Sequence, residues 1–299
     1  MGMIVYDSSA AMCTTAFKAW LKRRKMQDNN TPMPSPTAAS GNVVERLKAG
    51  LPVLALGIRT SRTPDIARIA KASGHDVIWV DLEHSSISID AAVQICATAL
   101  DIGLTPFVRV PEREYGVIGR LLDCGAVGIM APRIETVAQA RDLVAACRFP
   151  PHGHRSAIAT LPHVAYQKMP AAEFNAAMNR STLLKVLIES PLGISNIAEI
   201  ASVEGVDFLG IGTNDLSAEL GVPGQFQHAS VRQAHEAALL GCKSAGKPLA
   251  IGGISDTAYS AELVRKGAAP FLMTGIDTDM LLSVAQARAK QALESISHL

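Results

Sequence analysis

Residues 183–215 read LLKVLIESPLGISNIAEIASVEGVDFLGIGTND. Two aliphatic runs, Leu183–Glu189 and Val206–Gly210, flank a helical stretch at Gly193–Ser202. Runs this apolar offer no polar face to solvent. They read as strands buried on both sides, the pattern of a parallel sheet covered by helices. The helical stretch between them is the crossover that two parallel strands require.

The same alternation extends in both directions. Further strand-length runs lie at Val53–Gly57, Val77–Asp81, Thr105–Val110, Val127–Ala131, Pro248–Ile251 and Pro270–Thr274, which brings the total to eight. Helical segments lie between them at Thr63–Ser73, Ile89–Asp101, Glu114–Cys124, Val137–Cys147, Val231–Ala245 and Thr257–Lys266, with a last one at Asp277–Ser295. Several end at a glycine before the next strand, as at Cys124-Gly125 and Lys266-Gly267. Glycine accepts the left-handed cap that stops a helix. Eight such units in about 250 residues are the size of a closed (β/α)8 TIM barrel. An open doubly wound sheet is the competing architecture, but no GxGxxG turn follows the first strand.

Composition agrees with one large α/β domain: 299 residues, 48% hydrophobic, 18% charged and only 4% aromatic. A formal charge of +1 provides no long-range attraction to nucleic acid or an anionic membrane. No apolar run approaches the roughly 20 residues that span a bilayer. The five cysteines, Cys13, Cys96, Cys124, Cys147 and Cys242, are scattered and form no CxxC pair. Neither a disulfide framework nor a zinc cluster is expected, and a reducing cytoplasm is the natural setting. Residues 1–40 differ from the rest. They read as an extension with an amphipathic helix at 10–25 and a linker at 29–40, ahead of a barrel domain at 41–299.

In a TIM barrel, chemistry gathers at the C-terminal ends of the strands. The unusual polar residues fall there: Asp81-Leu82-Glu83-His84 after the second strand, Arg109 in the third, Glu189 after the fifth and Asp215 after the sixth. Two carboxylates at adjacent strand mouths suit a hard, oxygen-seeking divalent cation. The competing structural reading is that Asp215 caps the helix Leu216–Leu220 while Glu189 pairs with a neighbouring arginine. His84, crowded by Asp81 and Glu83, is a candidate for proton transfer near neutral pH. Arg109 in an aliphatic strand needs an anionic partner, either substrate or carboxylate. Asp123 reads as a charge at a helix end. His152, His154 and His163 in the long irregular stretch Phe149–Met169 match no ligand spacing and read as loop residues. Glycines at Gly252-Gly253 and Gly275 are a weak phosphate-site signal.

Together, DLEH at 81–84, FVRVP at 107–111, LLDCGAVGIMAPRIET at 121–136, RFPPHGHRS at 148–156, LIE at 187–189 and GIGTNDLSAELG at 210–221 resemble the HpcH/HpaI family of class II pyruvate aldolases, within the citrate-lyase-like superfamily. The resemblance spans about 42–290. It implies a TIM barrel in a homo-oligomer, commonly a hexamer built of dimers with exchanged C-terminal helices. It also implies a divalent metal (Mg2+, Mn2+ or Co2+) on Glu189 and Asp215, a catalytic Arg109 and a His84–Asp123 dyad. By the same resemblance, the turn Gly212, Thr213, Asn214 and Asp215 holds the substrate carboxylate. Many members carry Gln where this chain has Leu187, and GPAD where it has Gly212-Thr213-Asn214-Asp215. Those departures bear on substrate choice more than on metal binding.

The implied reaction joins or splits a 2-oxo acid such as pyruvate and an aldehyde, with oxaloacetate decarboxylation as a side reaction. The rivals are a CoA-thioester lyase of the citrate-lyase beta type and a catalytically silent binding barrel. Lys185 lies early in its strand, which disfavours Schiff-base chemistry.

Overall fold

The computed structural model describes residues 43–297 together with Lys18. The expected helix at 10–25, the linker at 29–40 and the boundary at 40 therefore fall outside the described residues, apart from Lys18.

A helical stretch at 43–48 leads into β1 (Val53–Ile58). The chain continues through α1 (Asp65–Ala72), β2 (Val77–Asp81), α2 (Ile89–Asp101), β3 (Thr105–Arg109), α3 (Ile118–Asp123), β4 (Gly128–Ala131), α4 (Val137–Cys147) and α5 (Ala171–Ser181). Then come β5 (Leu183–Ile188), α6 (Pro191–Ser195), α7 (Ile197–Ala201), β6 (Phe208–Gly212), α8 (Thr213–Glu219) and α9 (Ala229–Ser244). The last elements are β7 (Leu249–Gly252), α10 (Thr257–Arg265), β8 (Phe271–Ile276) and α11 (Asp277–Ile296).

The hydrogen-bonded order is β7-β6-β5-β4-β3-β2-β1-β8, and every pair is parallel. The last strand thus pairs with the first, and β7 lies against β8 at the seam. A doubly wound sheet would reverse its order at a switch point; this one never does. The fold is a nearly closed (β/α)8 barrel.

The period-two alternation explains why the strands are apolar on both faces. In β2, Val77 and Trp79 join the core inside the barrel, while Ile78 and Val80 join the core between sheet and helices. Inside, Phe107 and Phe208 meet edge to face at 5.9 Å, and Phe208 and Phe271 meet at a tilt at 5.6 Å. Val43, Val44 and Leu47 of the leading helix join the same inner core. An interior this full is a floor under the strand mouths. Truncating Phe107 or Phe208 to Ala would cost about 3–5 kcal/mol.

All eight strands fall within two residues of their expected bounds. Three helical details differ. The segment expected at Glu114–Cys124 begins with a 3-10 turn at Tyr115–Val117 that has no side-chain cap. The segment Gly193–Ser202 breaks at Asn196, whose side chain donates to the Glu135 carbonyl at 2.8 Å. Helix α5 has no expected counterpart. It follows the irregular stretch, and its Phe174 and Met178 pack on Phe149 and Leu161 in a small core of their own.

Helix α11 touches β1 and β8, but residues 281–297 are exposed throughout. Leu281, Leu282, Val284, Leu293 and Ile296 all face solvent. Among the described residues no helix is long and apolar enough to cross a membrane.

Candidate active site

Asp81 closes β2 and is fully buried. Its carboxylate accepts from Arg109 Nε at 2.9 Å, Arg109 Nη2 at 2.7 Å and Arg59 Nε at 2.6 Å. It also accepts from the backbone amides of Glu83 and His84 at 3.1 and 3.2 Å. Burial pushes this carboxyl up, but the hydrogen bonds and charge of Arg109, with Arg59 and the His84 amide, outweigh it and hold Asp81 below the usual carboxylate range. Arg109 Nη1 also lies 3.0 Å from Glu83 Oε2, and its guanidinium carbon stands 5.1 Å from the Trp79 ring centroid. The anionic partners expected for Arg109 are thus carboxylates of its own chain. All three guanidinium nitrogens are engaged, Nε and Nη2 by Asp81 and Nη1 by Glu83.

Glu189 follows β5 and is buried; Asp215, the third residue of α8, is half-buried. Glu189 Oε2 accepts from the Arg133 amide at 2.9 Å, so the expected arginine ion pair is replaced by a backbone contact. The helix-capping reading of Asp215 also fails, because Gly212 occupies the cap position. Gly212 is required there: a Cβ on it would stand 2.3 Å from Glu189 Oε1. Burial raises the Glu189 carboxyl to about 7; the Arg133 amide opposes this, and the negative charges of Asp215 and Glu83 add to it.

These features fit a divalent cation. Among the described residues neither Glu189 nor Asp215 forms an ion pair, and the donors are all oxygen. No group of three His, Cys, Asp or Glu side chains there could hold a metal. Two carboxylates with the other positions left for water and substrate is how Mg2+ and similar ions are commonly held.

His84 lies past β2 at the same mouth, with its side chain 55% exposed and Nε2 3.7 Å from Glu83 Oε2. Asp123 does not join it. Asp123 ends α3, and in a βα barrel each helix returns the chain to the face opposite the strand mouths. There it accepts from Arg155 Nη2 at 2.6 Å, and the buried Arg155 guanidinium stacks 4.5 Å from the Phe149 centroid. The dyad implied by resemblance is therefore not formed within one chain. His163 in the same loop is buried and donates Nε2–H to the Ala126 carbonyl at 2.9 Å, as a packed loop histidine does.

Thr213 is buried, Asn214 is exposed and Gly212 is half-buried. Gly253, at φ +82°, approaches Asn214 closely, so the two glycine-bearing loops meet here. Lys185 points into the barrel, with Nζ 4.4 Å from the Phe271 centroid and 5.6 Å from that of Phe208. Burial lowers its amine to about 7; the Arg109 charge adds to this and Glu189 opposes it. Strand parity could have found it, since 185, 187 and 189 share a face. Asp277, just past the eighth strand, accepts the amides of Arg59 at 2.8 Å and Ser61 at 2.7 Å, pinning the β1 loop.

A family model described as HpcH/HpaI aldolase/citrate lyase matches residues 59–283, a span holding every mouth residue above. The chain belongs to this family of carbon–carbon lyases. It is 37% identical over 230 residues to the 4-hydroxy-4-methyl-2-oxoglutarate aldolase tasA of Hapsidospora irregularis, covering 76% of this chain and 85% of the relative. It is 33% identical over 241 residues to the 2-keto-3-deoxy-L-rhamnonate aldolase of Escherichia coli, covering 81% and 88%. The crystal structure of an HpcH/HpaI aldolase from Desulfitobacterium hafniense aligns with a TM-score of 0.78 at 27% identity, over 84% of this chain and 96% of that one. In this family member, Leu187 lies buried directly below Glu189 on the inner face of β5.

Proposed function

We propose that this chain is a class II, metal-dependent aldolase that forms and cleaves 4-hydroxy-2-oxo acids. The products of cleavage are pyruvate or a related 2-oxo acid and an aldehyde or ketone. The observation that carries this reading is the buried Glu189 beside Asp215, unpaired with any cation and facing the same mouth as Arg109.

Glu189 and Asp215 would hold Mg2+, Mn2+ or Co2+, which supplies Lewis-acid stabilisation of charge on the substrate's oxygens. Arg109 adds fixed positive charge where negative charge develops. Its orientation is set by Asp81 and Glu83, so no reorganisation is needed during reaction. Losing such a donor costs about 3–4 kcal/mol of transition-state stabilisation. His84, exposed at the rim, moves the proton of the 4-hydroxyl group. The Gly212–Asp215 turn holds the 2-oxo acid carboxylate. Leu187 offers that acid an apolar floor. The relatives named for 4-hydroxy-4-methyl-2-oxoglutarate and 2-keto-3-deoxy-L-rhamnonate both carry the 2-oxo acid group that this site would grip.

The protein works as a homo-oligomer, a hexamer on the family pattern, with the exposed apolar side of α11 exchanged between subunits. Its free cysteines, Cys96, Cys124, Cys147 and Cys242, support a cytoplasmic setting.

The test is incubation of purified protein with pyruvate and a panel of hydroxyaldehydes, plus Mg2+, Mn2+ or Co2+, with and without chelator. Metal-dependent aldol product, or decarboxylation of oxaloacetate, is the expected result. Absence of both with all three ions would overturn the reading.

A further inference from the structure

The turn that carries Asp215 is tied to the outer helical layer by a chain of three buried side chains. Thr213 and His235 are 0% exposed and Tyr259 is 3% exposed. His235 Nε2 lies 3.3 Å from Thr213 Oγ1, and His235 Nδ1 lies 2.9 Å from the Tyr259 hydroxyl. The three come from separate elements, α8, α9 and α10. Burial, with the nearby charge of Arg232, lowers the imidazole to about 4, so it is neutral near pH 7 with one N–H and one lone pair. One ring nitrogen therefore donates and the other accepts, and the Tyr259 and Thr213 hydroxyls, each able to do either, complement whichever tautomer is present. Arg232 stacks 4.9 Å from the Tyr259 centroid and holds the far end. At the near end, Ser217 Oγ donates to the Asn214 carbonyl at 2.8 Å. The side chains of Thr213, His235 and Tyr259 are all buried, and the proposed reaction assigns none of them a chemical step.

We propose that His235 is a positioning residue: clamped by Tyr259, it tethers Thr213 and thereby fixes the Gly212–Asp215 turn on which the placement of Asp215 beside Glu189 depends. This rests on the reading of Glu189 and Asp215 as metal ligands. Gly212 stands against Glu189 and Asp215 lies two residues beyond Thr213, so a turn free to rock would change the spacing of both carboxylates. Groups that orient ligands in this way govern metal affinity as well as rate.

The test uses the full chain and Mn2+ binding, read by titration calorimetry and electron paramagnetic resonance, beside kcat, KM and Tm in chelator. Thr213→Val keeps the volume and removes the hydroxyl; Thr213→Ser keeps the hydroxyl; His235→Phe keeps the ring volume. Thr213→Val and His235→Phe are expected to weaken Mn2+ binding about 10- to 100-fold. Thr213→Ser recovers it to within about threefold of wild type. The double variant Thr213→Val/His235→Phe is no weaker than either single, because both act through one contact. Should His235→Phe fail to fold, the Val and Ser variants decide. A lowered Tm with wild-type Mn2+ affinity in Thr213→Val overturns the proposal, since a merely structural tie predicts that pattern. Asp215→Asn is the control. If it binds Mn2+ like wild type, the ligand reading itself fails. If it loses Mn2+ while Thr213→Val does not, only the tether fails.

Discussion

Asp81 and Arg109 meet at two points, Oδ1 with Nε at 2.9 Å and Oδ2 with Nη2 at 2.7 Å, at neighbouring mouths of a parallel sheet. Their register makes this unavoidable, because Asp81 and Arg109 are direct ladder partners on the inner face. Held at both points, with Nη1 on Glu83, the guanidinium is fixed in one orientation, which a lysine ammonium could not match.

Breaking that pair from the acidic side leaves Arg109 buried with Glu83 as its only carboxylate partner. Asp81→Ala is expected to lose about 3–5 kcal/mol of stability in urea unfolding, as for other broken buried pairs. Arg109→Lys keeps the charge but loses the fork. It is expected to lower kcat/KM at least ~100-fold for loss of an oriented donor. An Arg109→Lys enzyme with wild-type kcat/KM would remove Arg109 from the reaction.

Gly212 sets the depth of Glu189. Alanine at 212 would place its Cβ 2.3 Å from Glu189 Oε1, and the carboxylate must move. Gly212 has a φ of −87°, so alanine brings no backbone strain and the fold should survive. Gly212→Ala is expected to weaken divalent-metal binding at least ~10-fold with far-ultraviolet circular dichroism unchanged. Equal Mn2+ affinity in calorimetry would show that Glu189 does not bind the ion.

Much of this was legible in the sequence, and the reason is periodicity. Eight aliphatic runs with glycine-ended helices between them have one compact solution, and the barrel follows. The mouth residues were legible because carboxylates and an arginine at the ends of buried strands stand out against Val, Leu and Ile. What the sequence hid was direction and distance. Nothing around Asp123 tells which end of the barrel it occupies until α3 has a length and an axis. Lys185 looked remote because its position along the strand was read without its inward face. Thr213, His235 and Tyr259 lie far apart in the chain, and only tertiary packing joins them. Helix α5 follows a Pro- and Gly-rich stretch and gains its stability from contact with Phe149 and Leu161 more than from its own pattern.

The raised Glu189 carboxyl makes two measurable slopes of opposite sign. Without metal, the folded protein keeps a proton that the unfolded chain releases above about 4.5. The stability from this group is therefore full below about 4.5 and is lost as pH rises through about 7. Metal affinity runs the other way. Below about 7 the ion must displace that proton, so affinity falls about tenfold per pH unit. Glu189→Gln should flatten the unfolding slope between those two values in chelator. Its persistence in the variant would assign the titration to another group.

The placement of His84 and Asp123 on opposite faces of one barrel gives the last prediction. If both serve the reaction as a dyad, the aspartate beside a given His84 must come from a second copy of the chain. Arg155, paired to Asp123 at 2.6 Å, would then hold that aspartate toward the neighbour. His84→Ala and Asp123→Ala homo-oligomers are each expected to lose about 10²–10⁴-fold in kcat, the usual range for proton-transfer groups. Mixed by co-expression, the two inactive chains should regain activity, because a mixed interface contains one site with an intact His84 and an intact Asp123. In a randomly mixed dimeric interface that is about one site in four, so recovery approaches a quarter of wild type. Recovery should fail for a His84→Ala/Asp123→Ala double variant mixed with either single. No recovery in the first mixture, with assembled hetero-oligomers present, would place the dyad outside the mechanism.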